Sequence, residues 1–104
     1  MSFTKHGRTF DGPYFNTSTL DAKAGVYIVW DERSTDDLSH PLDVGESEDV
    51  RERLGNHDRA DCWKRKATGT IKYSATYTSD LTAQQRRDLE KKIRDAEKPP
   101  CGDQ

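Results

Sequence analysis

Gly25-Val26-Tyr27-Ile28-Val29-Trp30 is the longest apolar stretch of the chain. Its β-branched and aromatic residues favour a strand. The absence of polar alternation predicts a central strand, covered on both faces. The stretch is too short to cross a bilayer, for which about 20 residues are needed. Downstream, Asp31 to His40 reads as a polar loop. Pro41-Leu42-Asp43-Val44 reads as a second strand, hairpin-paired with the first and ended by Gly45.

Beyond this hairpin the pattern turns helical. Ser47 suits an N-cap, and Glu48 and Asp49 suit the positive end of a helix dipole. Val50, Leu54 and His57 follow at i, i+4 and i+7, with Arg53 beside them. Gly55-Asn56 ends or loosens this helix, and Asp58 to Ala67 suggests a second short one with Cys62 and Trp63 buried. Thr70 to Tyr77 alternates, placing Ile71, Tyr73, Ala75 and Tyr77 on one face of a third strand. Thr82-Ala83-Gln84-Gln85 is a capping box. It opens a helix to Glu97 with a stripe of Leu89, Ile93 and Ala96, stopped by Pro99-Pro100. Upstream, residues 1–23 read as an N-terminal extension that packs Phe3, Phe10, Tyr14 and Phe15 on the domain of residues 24–104. The expected class is α+β, in the order β-β-α-α-β-α, with a three-stranded mixed or antiparallel sheet flanked by helices.

Composition sets outer limits. The chain has 104 residues, 31% hydrophobic and 35% charged, so one domain with a thin core is expected. The start, Met1 to His6, lacks the apolar run of a signal peptide. No membrane segment is expected, and the chain reads as cytoplasmic. Cys62 and Cys101 are then expected to be reduced, and without a CxxC pair no zinc is expected. A net charge of −2 hides a strong asymmetry. Residues 31–50 carry eight acids against Arg33, while residues 51–72 carry seven bases against three acids. A local basic patch matters more than the mean for meeting phosphates.

The order of these elements carries a resemblance. Gly25-Val26-Tyr27 resembles the first element of the GIY-YIG nucleases, and Asp43-Val44-Gly45 stands where the YIG element belongs. The run from Gly45 through Ser47, Val50 and Arg53 to His57 is similar to the family's G-x-S-x-x-(V/L)-x-x-R-x-x-x-H helix. Arg86 to Ile93 resembles the helix that supplies the family's glutamate, which maps onto Glu90. Taken singly, Tyr27 would be a core aromatic, His57 either a packed histidine or a functional one, and Arg53 and Glu90 solvated charges. Only the joint pattern raises them together.

The resemblance implies phosphodiester hydrolysis on DNA, with Tyr27, Arg53, His57 and Glu90 as catalytic residues. Tyr27 would act as base or base relay near the attacking water. Arg53 would clamp the scissile phosphate, which a planar guanidinium meets bidentately. His57 would hydrogen-bond the phosphate or the tyrosine. Glu90 would hold a single Mg2+ or Mn2+. Arg51, Arg59, Lys64, Arg65 and Lys72 are expected to form a nucleic-acid-binding border, with Lys98 a further candidate phosphate contact. Asp43 replaces the family's second tyrosine, which implies either a metal ligand or a degenerate position. A protein partner could supply specificity. The alternative is a non-catalytic nucleic-acid-binding or protein-interaction module that keeps the fold.

Overall fold

In a computed structural model, residues 1–35 and 37–102 are described. Five strands form one antiparallel sheet: β1 (Ser2–Lys5), β2 (Arg8–Tyr14), β3 (Gly25–Glu32), β4 (Pro41–Ser47) and β5 (Thr70–Tyr77). Their spatial order is β1-β2-β5-β3-β4. Three helices complete the fold: α1 (Val50–Gly55), α2 (Ala60–Lys66) and α3 (Ala83–Glu97). The class is α+β. From β3 onward the elements follow the expected order, and β3 and β4 pair as an antiparallel hairpin. The expected three-stranded sheet is corrected to five strands. Residues 2–14, read as an extension, supply β1 and β2, and β2 pairs with β5.

The unbroken apolar run of β3 has a direct structural cause. Tyr27 and Val29 face one cluster with Leu42, Val50, Leu54, Trp63 and Ala75, under α1 and α2. Val26, Ile28 and Trp30 face the other, with Phe10, Val44 and Ile93 of α3. Both faces are therefore covered, and period-2 alternation sorts the side chains between two cores rather than between core and water.

The helix starts are set by hydrogen bonds. Thr82 Oγ1 accepts from Gln85 N–H, and Gln85 Oε1 accepts from Thr82 N–H, closing the capping box of α3. The first helix starts later than the sequence suggests. Asp49, not Ser47, is its N-cap, accepting from Glu52 N–H at 3.1 Å. Because α1 ends at Gly55, His57 lies in the α1–α2 connection rather than on a helical face. On α3, Ile93 is buried but Ala96 is exposed, while Arg86 and Arg94 are buried.

The expected free thiols are also corrected. Cys62 and Cys101 form a disulfide, with Cα atoms 6.0 Å apart. Helix α2 and the segment after α3 meet beside β4, where Cys101 N–H donates to Leu42 O. Thirty-nine residues of sequence separation concealed that proximity. Among the described residues, no helix is long and apolar enough to cross a membrane.

Candidate active site

Strand β4 is an edge of the sheet. A concavity of about 600 Å³ opens there, between α3 and the α1–α2 connection. Tyr27, Arg53 and Glu90 all line it, together with Gly45, Arg59 and Arg94. His57 stands directly behind, its Nε2 2.6 Å from Tyr27 Oη. The four residues singled out by the sequence are thus gathered at one place.

The hydrogen bonds fix the tautomer of His57. Arg59 N–H donates to His57 Nδ1 at 3.0 Å, so Nδ1 must present its lone pair. Burial, with Arg53 and Arg59 nearby, pushes the histidine down to about 4, so the ring is neutral at pH 7. A neutral ring with a bare Nδ1 carries its hydrogen on Nε2. His57 therefore donates and Tyr27 Oη accepts. Burial and the negative charge of Asp43 raise the Tyr27 phenol to about 12, against the opposing pull of Arg59 and Arg53. Tyr27 keeps its proton at neutral pH.

Gly45 makes this arrangement sterically possible. It pairs with Tyr27 across the β3–β4 ladder. A Cβ at Gly45 would stand 2.2 Å from Tyr27 Oη and 2.3 Å from Cζ. The glycine leaves room for the phenol to lie across β4.

Asp43 is fully buried and saturated with donors. It accepts from Arg59 Nε at 2.7 Å, Trp63 Nε1 at 2.9 Å, Arg94 Nη2 at 2.9 Å and Val44 N–H at 2.8 Å. Arg59 Nη2 adds a further bond at 3.2 Å. A buried carboxylate requires such partners. These donors occupy both oxygens, so Asp43 is the counter-charge of two arginines and not a metal ligand. Arg94 also donates to Val44 O and to Cys101 O, which ties the tail beside the disulfide to the same network.

Glu90 Oε2 accepts from Arg94 Nε at 2.9 Å, while Oε1 has no hydrogen-bond partner among the described residues. Arg53 donates to the exposed Asp58 at 3.0 Å. Of the expected cationic border, only Arg59 lines the concavity. Arg51, Lys64 and Arg65 are exposed elsewhere on α1 and α2, and Lys72 pairs with Glu32 at 3.7 Å. Lys98 is the C-cap of α3, outside the lining. Arg87, Lys91 and Arg94 line the concavity from α3, interleaved there with Asp88, Glu90 and Asp95. Sequence reading missed them because α3 mixes bases with Asp88, Glu90 and Asp95, leaving no local excess. Gly45 was singled out only as the glycine of the Asp43-Val44-Gly45 element, not for the room it leaves Tyr27. An acid between Leu42 and Val44 in a strand pattern was the available signal that buried cations were needed.

Comparisons with models of protein families, with curated proteins and with solved structures find no match to this chain. The resemblance to the GIY-YIG nucleases rests on the residues and their spacing.

Proposed function

We propose that the chain is a metal-dependent DNA endonuclease of the GIY-YIG type, acting through Tyr27, Arg53, His57 and Glu90. The observation that carries this reading is the joint placement of Tyr27, Arg53 and Glu90 in one concavity, with a neutral His57 donating to the phenol.

The donor chemistry suits a hard divalent cation. Glu90 offers one open carboxylate oxygen, and no cluster of three or more metal-binding side chains occurs among the described residues. Magnesium commonly takes one or two protein carboxylates, with water and substrate phosphate in the other positions. A Mg2+ or Mn2+ ion at Glu90 would neutralise developing charge on the phosphate and make a bound water more acidic.

The chain's own groups divide the remaining work. Arg53 holds the phosphodiester, exchanging its exposed Asp58 partner for phosphate oxygens. Tyr27 orients the attacking water. Because Nε2 already carries a hydrogen, His57 cannot receive the tyrosine proton. Instead its N–H stabilises negative charge on Oη: Tyr27 gives its proton to solvent, the phenolate takes one from the attacking water, and the water oxygen bonds phosphorus as the P–O bond to the departing strand end breaks. His57 is then a positioning residue for Tyr27, and not a base.

The test is nicking of supercoiled and branched DNA with Mg2+ or Mn2+, comparing wild type with Glu90→Gln and Tyr27→Phe. Weak, metal-dependent nicking that both substitutions abolish is the expected result. Gln keeps the shape of Glu90 without its charge, and Phe keeps the ring without the hydroxyl. No cleavage by a folded wild-type protein that still binds DNA would favour the non-catalytic binding module.

A further inference from the structure

We propose that Arg59 is a second phosphate-binding arginine of the concavity, acting beside Arg53 and aimed by the buried carboxylate of Asp43. The proposal deepens the nuclease reading and rests on it for the identity of the ligand as a DNA phosphodiester.

Three observations carry it. Arg59 lines the same concavity as Tyr27, Arg53 and Glu90, and its side chain keeps 29% of its exposure. It is therefore within reach of a ligand there and also anchored. Its Nε and Nη2 are both held by Asp43, at 2.7 and 3.2 Å, which fixes the plane of the guanidinium. Nη1 donates no hydrogen bond to any described residue. A fork held on one edge, with its far nitrogen free, is preorganised for an oxyanion, and less entropy is lost on binding.

Charge bookkeeping points the same way. Asp43 serves both Arg59 and Arg94, so one buried carboxylate faces two guanidinia. Glu90 bonds Arg94 and supplies the second counter-charge, so the two guanidinia are balanced by two carboxylates. A divalent cation at Glu90 would leave the concavity positive, which a bound phosphodiester would offset. Asp43 in place of the family's tyrosine is thus neither a metal ligand nor an idle substitution. It is a positioning residue that holds a cation at the site.

The experiment is salt-titrated binding of a short DNA duplex by fluorescence anisotropy, alongside the nicking assay, for wild type and Arg59→Gln. Each phosphate contact contributes about 0.9 to the slope of log affinity against log salt. Arg59→Gln is expected to lower that slope by about 0.9. It should also weaken affinity about 10- to 100-fold, the scale of a lost charged hydrogen bond. A purely structural role would leave the slope of the folded fraction unchanged. Because Arg59→Gln leaves Asp43 short of a partner, Arg59→Gln with Asp43→Asn is the second variant. The double substitution removes both charges together and should show the same reduced slope. An unchanged slope in a folded variant, or no DNA binding by wild type at low salt, overturns the proposal. Reduced slope without wild-type cleavage sinks the nuclease reading alone. Cleavage with an unchanged slope sinks the clamp alone.

Discussion

Substituting Gly45 by alanine tests the geometry of the site through a single methyl group. Gly45 does not have the positive φ that would demand glycine, so the backbone itself tolerates alanine. The obstacle is the phenol of Tyr27, 2.2 Å from the new Cβ. An ordinary carbon contact lies near 3.5–4.0 Å, so the ring must move by more than about 1 Å. Tyr27 is 1% exposed and packed between β4 and His57, which leaves little room for that movement. Overpacking costs about 1–3 kcal/mol. Losing the 2.6 Å bond to the buried imidazole adds about 1–3 kcal/mol. The sum, about 2–5 kcal/mol, corresponds to a fall in Tm of roughly 10–30 °C for a domain of this size. Thermal unfolding followed by circular dichroism measures it, and the NMR signal of His57 Nε2–H reports the local effect. The control is Gly55→Ala, where a Cβ would meet only Thr17 Oγ1 at 3.8 Å. That change should be neutral or stabilising by about 0.4–1 kcal/mol. A Gly45→Ala protein with wild-type Tm and an unshifted His57 signal would refute the reasoning.

Two further perturbations probe the buried charges. The folded-state histidine at about 4 lies below its usual 6.5, so the unfolded chain binds more protons between those values. Stability contributed by neutral His57 is therefore full above pH 6.5 and lost as pH falls towards 4, by up to about 3 kcal/mol. Urea unfolding of wild type against His57→Gln should show a shallower loss over that window in the variant, and parallel curves would contradict the assignment. Asp43→Tyr, which would introduce the tyrosine of the GIY-YIG pattern, should not raise nicking. It strips Arg59 and Arg94 of their shared counter-charge in a buried site, at a cost of about 3–5 kcal/mol, visible as a lower urea midpoint. Wild-type stability in that variant would mean that Asp43 is not the anchor of the network.

What was legible in the sequence is what local rules determine. Strand β3 announced itself through β-branched residues, β5 through alternation, and α3 through its capping box, because each signal lies within a few residues of the structure it creates. Strand β2 did not, since Gly12-Pro13 breaks its pattern. The register shift between Asp11 and Tyr14 is what accommodates the proline in a paired strand. Nothing local in the sequence marks Arg86 and Arg94 as buried, since their partners Glu46 and Asp43 lie on β4, far away in sequence. The disulfide was hidden for the same reason. Tyr27, Arg53, His57 and Glu90 could be singled out by a pattern of spacing, but the contacts that join them could not. The tautomer of His57 depends on a backbone N–H, which no residue type reveals.

That N–H belongs to Arg59, and it joins two halves of the site that otherwise look independent. Through its backbone Arg59 holds His57 Nδ1, and so makes His57 a donor to Tyr27. Through its guanidinium it reaches Asp43, and through Asp43 it is coupled to Arg94 and Glu90. The path from the phenol to the candidate metal-binding carboxylate is thus continuous: Tyr27, His57, Arg59, Asp43, Arg94, Glu90. Residues within one such hydrogen-bonded unit do not contribute additively. Loss of the Arg59 side chain leaves the backbone bond to His57 in place, so the phenol keeps its partner while the cationic half is weakened. Displacing the whole α1–α2 connection would disturb both halves at once. Side-chain substitutions at Arg59 therefore separate the proposed phosphate contact from the orientation of Tyr27, which substitutions at His57 or Gly45 cannot do.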